Sequence, residues 1–146
     1  MKVEVTSATN FLIHMIKLSN NAVSAGKLKK LRQVLIKDLQ KKFEYNWFPN
    51  QPYRLSEFRC IRIKENKLDP LITCAAIKCG LNPSTILSFL PKTLSIWIDP
   101  QEVTYRFDDS SDTIHTLYTM QTTGNVPWIP KSQRNKKLLH CFSYFY

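Results

Sequence analysis

Glycine is scarce: three residues in 146, with eight prolines, which argues against a low-complexity or collagen-like chain. No apolar run reaches the ~18 residues that a membrane-spanning helix needs. The opening MKVEVTSATNFLIHMI mixes acid and polar groups with apolar ones and has no small-residue cleavage site. It therefore reads as mature protein rather than a secretory signal. Cysteine is limited to Cys60, Cys74, Cys79 and Cys141, with no paired CxxC spacing, and histidine to His14, His115 and His140. That spacing does not make a zinc site, and buried reduced thiols are expected at all four cysteines.

Catalytic signatures are missing as well. There is no phosphate loop, no dinucleotide glycine pattern and no His-Glu-x-x-His helix. No serine, cysteine or histidine sits in a recognisable nucleophile setting. Asp108, Asp109 and Asp112 share a short loop but lack the other oxygen ligands of a calcium loop, so a solvated turn is expected. Asp99 and Glu102 form a carboxylate pair around Pro100, where an aspartate before proline commonly serves as a turn device. The expectation is a protein that is not an enzyme, with no metal and no cofactor.

Charge is abundant and unevenly placed. The formal net charge is +10, yet residues 46–120 are balanced and the excess lies in residues 1–45 and 121–146. The last segment has four Lys/Arg and no acid. A basic helix over 27–42 and this tail raise nucleic acid or a transcription factor as partners, against the commoner alternative of a solvated helix face.

Val3, Val5, Ala8, Phe11, Leu12, Met15 and Ile16 recur at three and four residues and predict a helix over 3–18. Leu28, Leu31, Val34, Leu35, Leu39 and Phe43 predict a second over 24–45, packed on the first, with Lys27, Lys29, Lys30, Lys37, Lys41 and Lys42 mostly off its stripe. Asp69-Pro70 and Asn82-Pro83 are helix starts, and Gly80 is a helix stop. The short helix should cover 83–89. Strands are expected at 57–63, 94–98, 103–107 and 113–119, with a tight turn in IDPQEV and a hairpin loop in DDSSD. Helices first and strands last predict an α+β domain over 1–120 with an antiparallel sheet. Residues 121–146 read as a basic, flexible tail.

Strand parity poses the functional question. In LSIWIDP, Leu94, Ile96 and Ile98 share one face, and Trp97 points to the other beside Ser95 and Asp99. Phe58 likewise opposes Ile61 and Ile63. Either a second layer covers both faces, or these aromatics form an exposed patch rimmed by Arg59, Asp99 and Glu102, suited to anchor a partner.

Two long segments carry a resemblance. YNWFPNQP with FRCIRI…LDPLI, and LPKTLSIWIDPQEVTYRF, are similar to the two signature boxes of the BTG/Tob antiproliferative family, at about 45–72 and 90–118. The resemblance covers residues 3–120. It implies helices packed on a small antiparallel sheet, and a non-catalytic adaptor.

 The family's members bind the DEDD-type nuclease subunit of the cytoplasmic poly(A)-shortening complex, the carbon-catabolite-repression/Not assembly. They bring it to messenger RNAs and so restrain proliferation, and some are described as transcriptional coregulators. The resemblance carries the nuclease contact onto Phe58, Trp97 and Asp99, with Arg59 and Glu102 at the rim, Trp97 facing outward under the partner and Asp99 accepting from its Lys or Arg. Trp47 and Pro49 are assigned to packing the connection onto the sheet. The further expectations are a monomer in cytoplasm and nucleus, with no membrane contact and no direct nucleic-acid binding. Leu55-Ser56-Glu57 stands where the family has Gly-Ser-Gly, and Phe58 where it usually has Tyr. Losing both glycines removes easy access to positive backbone angles, so a differently shaped loop is expected there. Neither the third box nor the tail motifs that contact poly(A)-binding protein are found in 121–146.

Overall fold

Apolar periodicity builds two long helices, α1 (Lys2–Ser19) and α2 (Ala25–Phe43). Val5, Ala8, Leu12 and Ile16 on α1 are buried against Leu28, Leu31, Leu35, Leu39 and Phe43 on α2 in one core. Val3, counted in the α1 stripe from its spacing, is instead exposed. The Ser24 hydroxyl accepts from the Lys27 N–H and caps α2, whose six lysines outside the stripe are all exposed. The computed structural model describes residues 1–19, 23–65, 67–108, 110 and 113–120. The proposed tail, Cys141, Asp109 and Asp112 lie outside the described residues.

Two shorter helices follow, α3 (Pro70–Lys78) and α4 (Pro83–Ser88). Asp69 caps α3 by accepting from the Leu71 N–H at 2.9 Å, and Asn82 caps α4 by accepting from the Ser84 N–H at 2.9 Å. Gly80 takes φ 65 and ends α3, with its N–H on the Ile77 carbonyl and the Leu81 N–H on the Ala76 carbonyl. This pair of bonds is the Schellman arrangement, which needs a left-handed residue there.

The sheet is a four-stranded antiparallel meander in the order β1 (Cys60–Ile63), β2 (Leu94–Asp99), β3 (Glu102–Arg106), β4 (His115–Thr119). Ile61, Ile63, Leu94, Ile96, Ile98 and Val103 join the helix residues in the core, so the helices cover one sheet face. The fold is α+β, four helices with a four-stranded antiparallel sheet. The β2–β3 turn is tied to α1: the Gln101 N–H donates to Glu4 Oε1 at 3.0 Å. Burial alone would raise the Glu4 carboxyl. Bonds from the Met1 amino group, its own backbone and Gln101 outweigh burial and hold it below its ordinary value.

Three expectations are corrected. Residues 57–59 are not strand; Ser56–Arg59 form a 3₁₀ turn, closed by the Phe58 N–H on the Leu55 carbonyl at 3.1 Å. Cys60 and Cys79 are buried, but Cys74 is exposed, because α3 turns Ile72, Ala75 and Ala76 inward and leaves Cys74 and Ile77 outside. Trp47 stacks on Phe43 with ring centroids 6.4 Å apart, whereas Pro49 is exposed and packs nothing into the core.

Candidate docking face

The sheet face away from the helices carries Cys60 and Arg62 on β1, Ser95, Trp97 and Asp99 on β2, and Glu102, Thr104 and Arg106 on β3. Register places Cys60, Trp97 and Thr104 in one cross-strand row, and Arg62, Ser95 and Arg106 in the next. Side chains on the same face of adjacent strands interact directly. The Arg106 guanidinium lies 5.6 Å from the Trp97 ring centroid, a cation–π distance. Parity puts Arg62 and Arg106 on the face of Trp97, and the strand register sets them in the row next to it.

Trp97 does not face solvent. It is 4% exposed, and its Nε1–H is buried without a hydrogen-bond partner. The outward-facing indole expected from the family resemblance is therefore corrected: β2 is buried along its whole length, with the 3₁₀ turn against it. Phe58 is exposed, at 48%, as are Tyr45, Tyr53 and Phe107 among the described residues.

Arg59 explains why the turn sits there. It is 0% exposed, so it is not a rim residue. Its Nε donates to the Ile98 carbonyl and to Asp99 Oδ1, both at 3.2 Å. Nη1 donates to the Asn46 and Arg54 carbonyls at 2.6 and 2.8 Å. Nη2 donates to the Pro52 carbonyl at 2.6 Å and to Asp99 Oδ1 at 2.7 Å. One guanidinium thus ties the connection 46–54 to the end of β2. Ser56, missed in the sequence, completes the arrangement by donating to Asp99 Oδ2 at 2.7 Å.

Asp99 is accordingly 6% exposed, with both oxygens already engaged inside the domain. Within the domain it serves as the acceptor that holds Arg59 and Ser56. Burial raises its carboxyl above the ordinary value, against the lowering effects of Ser56 and Arg59. Glu102 sits farther out, where its Oε2 accepts from the Tyr53 hydroxyl at 3.5 Å. Burial pushes the Cys60 thiol up to about 11, which keeps it protonated and unreactive at neutral pH.

Leu55 precedes the turn at φ 56, ψ 32, a left-handed conformation. Loss of the glycines did not remove the positive angle; the chain adopts it with a leucine, which costs roughly 1 kcal/mol. Leu55→Gly is expected to be more stable than Leu55→Ala by about 1 kcal/mol, because only the glycine is free of the Cβ clash. Thermal unfolding of the two variants tests this, and an alanine variant at least as stable would rule out the strain.

Among known proteins, the chain is 34% identical to human Tob1 over 135 residues, which is 92% of the chain but 38% of Tob1. It is 31% identical to rat BTG2 over 141 residues, covering 91% of the chain and 88% of BTG2. Among solved structures, the C. elegans FOG-3 BTG/Tob domain superposes with a TM-score of 0.73 at 20% identity, covering 82% of this chain and 91% of that one. The chain therefore spans well under half of Tob1 and most of BTG2. The sequence model of the BTG family matches residues 1–118, and with these relatives it establishes that the chain belongs to the BTG family.

Proposed function

We propose that this chain is a non-catalytic adaptor that docks the DEDD-type nuclease subunit of the poly(A)-shortening complex through the face around Phe58. Membership of the BTG family implies an antiproliferative adaptor role. The observation that carries the finer reading is an exposed phenylalanine on a rigid turn, held by the buried Arg59–Asp99–Ser56 cluster beside Trp97. Exposed aromatics on a preorganised support are the usual anchors of protein interfaces. In this reading Phe58 enters the partner, Trp97 and Arg59 form the platform beneath it, Asp99 locks the platform and Glu102 lies at the rim. Shortening of messenger tails, restraint of proliferation, residence in cytoplasm and nucleus, and a monomeric state belong to the same proposal.

A second reading has its own observation. All six lysines of α2 outside the apolar stripe are exposed, a basic surface suited to a nucleic acid or transcription factor. A pull-down with the purified nuclease subunit at low and high salt separates the two. Wild type should bind at both salts, and Phe58→Ala should weaken binding at least tenfold with thermal stability within about 0.5 kcal/mol. Binding that vanishes at high salt and ignores Phe58→Ala would favour the basic helix.

A further inference from the structure

A cleft of about 380 Å³ opens between α1 and α2, away from the docking face. Its apolar lining includes Ile13, Val23 and Leu28, and its charged lining is Lys17, Lys29 and Arg32, with no carboxylate among the lining residues. Among the described residues, Lys17 and Lys29 have no ion-pair partner. The Arg32 Nε donates to Asn10 Oδ1 at 2.6 Å, which fixes the guanidinium beside the cleft without neutralising it. This differs from the neighbouring α2–α3 contact, where Lys78 pairs with Asp38 at 2.7 Å. The volume is within the range of small ligand sites, room for one or two apolar side chains. Three uncompensated cations around an apolar floor complement an apolar anchor flanked by carboxylates.

We infer that the α1–α2 cleft is a second docking site, and that it takes an acidic peptide segment with a large apolar anchor. The inference does not depend on the nuclease reading, because it uses another surface. Anchor burial supplies non-directional attraction, and the cations select the flanking acids and set the register. A charged peptide without the anchor meets only exposed lysines, where ion pairs are individually weak.

The test uses the full chain and a fluorescein-labelled 12-residue peptide with a central Phe and Leu among Asp and Glu, followed by anisotropy and by amide shifts in NMR. Binding should move the amides of Ile13, Lys17 and Lys29. Lys17→Glu/Lys29→Glu should weaken it about tenfold, and both side chains are exposed, so the fold is retained. Replacing the peptide's Phe and Leu with Ser should also weaken it about tenfold. Equal binding of the Ser peptide would overturn the proposal in favour of diffuse electrostatics. Shifts confined to other surfaces, or displacement of the peptide from the cleft by an oligouridylate in preference to excess unlabelled peptide, would overturn it too.

Discussion

Arg59→Ala is expected to cost about 4 kcal/mol of stability, the loss typical of breaking a buried charge pair from one side. The alanine would leave the carbonyls of Asn46, Pro52, Arg54 and Ile98 and the Asp99 carboxylate without their shared donor. Water cannot replace that donor while the site stays closed, so the cost exceeds that of one ordinary hydrogen bond. For a domain with a total stability of roughly 5–15 kcal/mol, this is a large share, equivalent to a fall in Tm of about 15 °C. Arg59→Lys should recover little, since one ammonium cannot span acceptors on two segments. Arg59→Met with Asp99→Leu should recover a substantial part, because the double variant removes both charges together. Denaturant titration of the four proteins is the measurement; a loss below about 1 kcal/mol for Arg59→Ala would mean the cluster is not what holds the connection.

The same residue shows where the sequence was legible. Periodicity located α1, α2 and the core faces of the strands, since spacing of three, four or two depends only on which side chains must be buried together. Asp69-Pro70, Asn82-Pro83 and Gly80 marked helix ends because capping is local chemistry. Spacing puts Arg59 in a strand and the resemblance puts it at the rim, whereas its acceptors come from 46, 52, 54, 98 and 99. No local rule brings those positions to one point. Trp97 failed for a related reason: parity gave its face, but burial of that face depends on the 3₁₀ turn and on Arg106 across the sheet. The left-handed Leu55 could not be inferred either, since tertiary packing can hold a leucine where its own preference would not.

Burial changes what a Trp97 variant reports. Trp97→Ala is expected to abolish partner binding, but it also empties a site that is 4% exposed, at a cost of about 3 kcal/mol. Lost binding by that variant would therefore not locate the interface. Trp97→Phe keeps an aromatic ring at that position and removes an N–H that has no acceptor, so the lost volume is partly offset by relief of an unsatisfied donor. Its stability should fall by no more than about 1.5 kcal/mol. If the indole is a platform, the phenylalanine variant should bind the nuclease subunit within about threefold of wild type, while Phe58→Ala does not. Calorimetric unfolding beside titration of the partner measures both quantities on the same samples. A Trp97→Phe variant that folds normally yet loses binding tenfold would show instead that the partner accepts the indole N–H, and that the face must open to offer it.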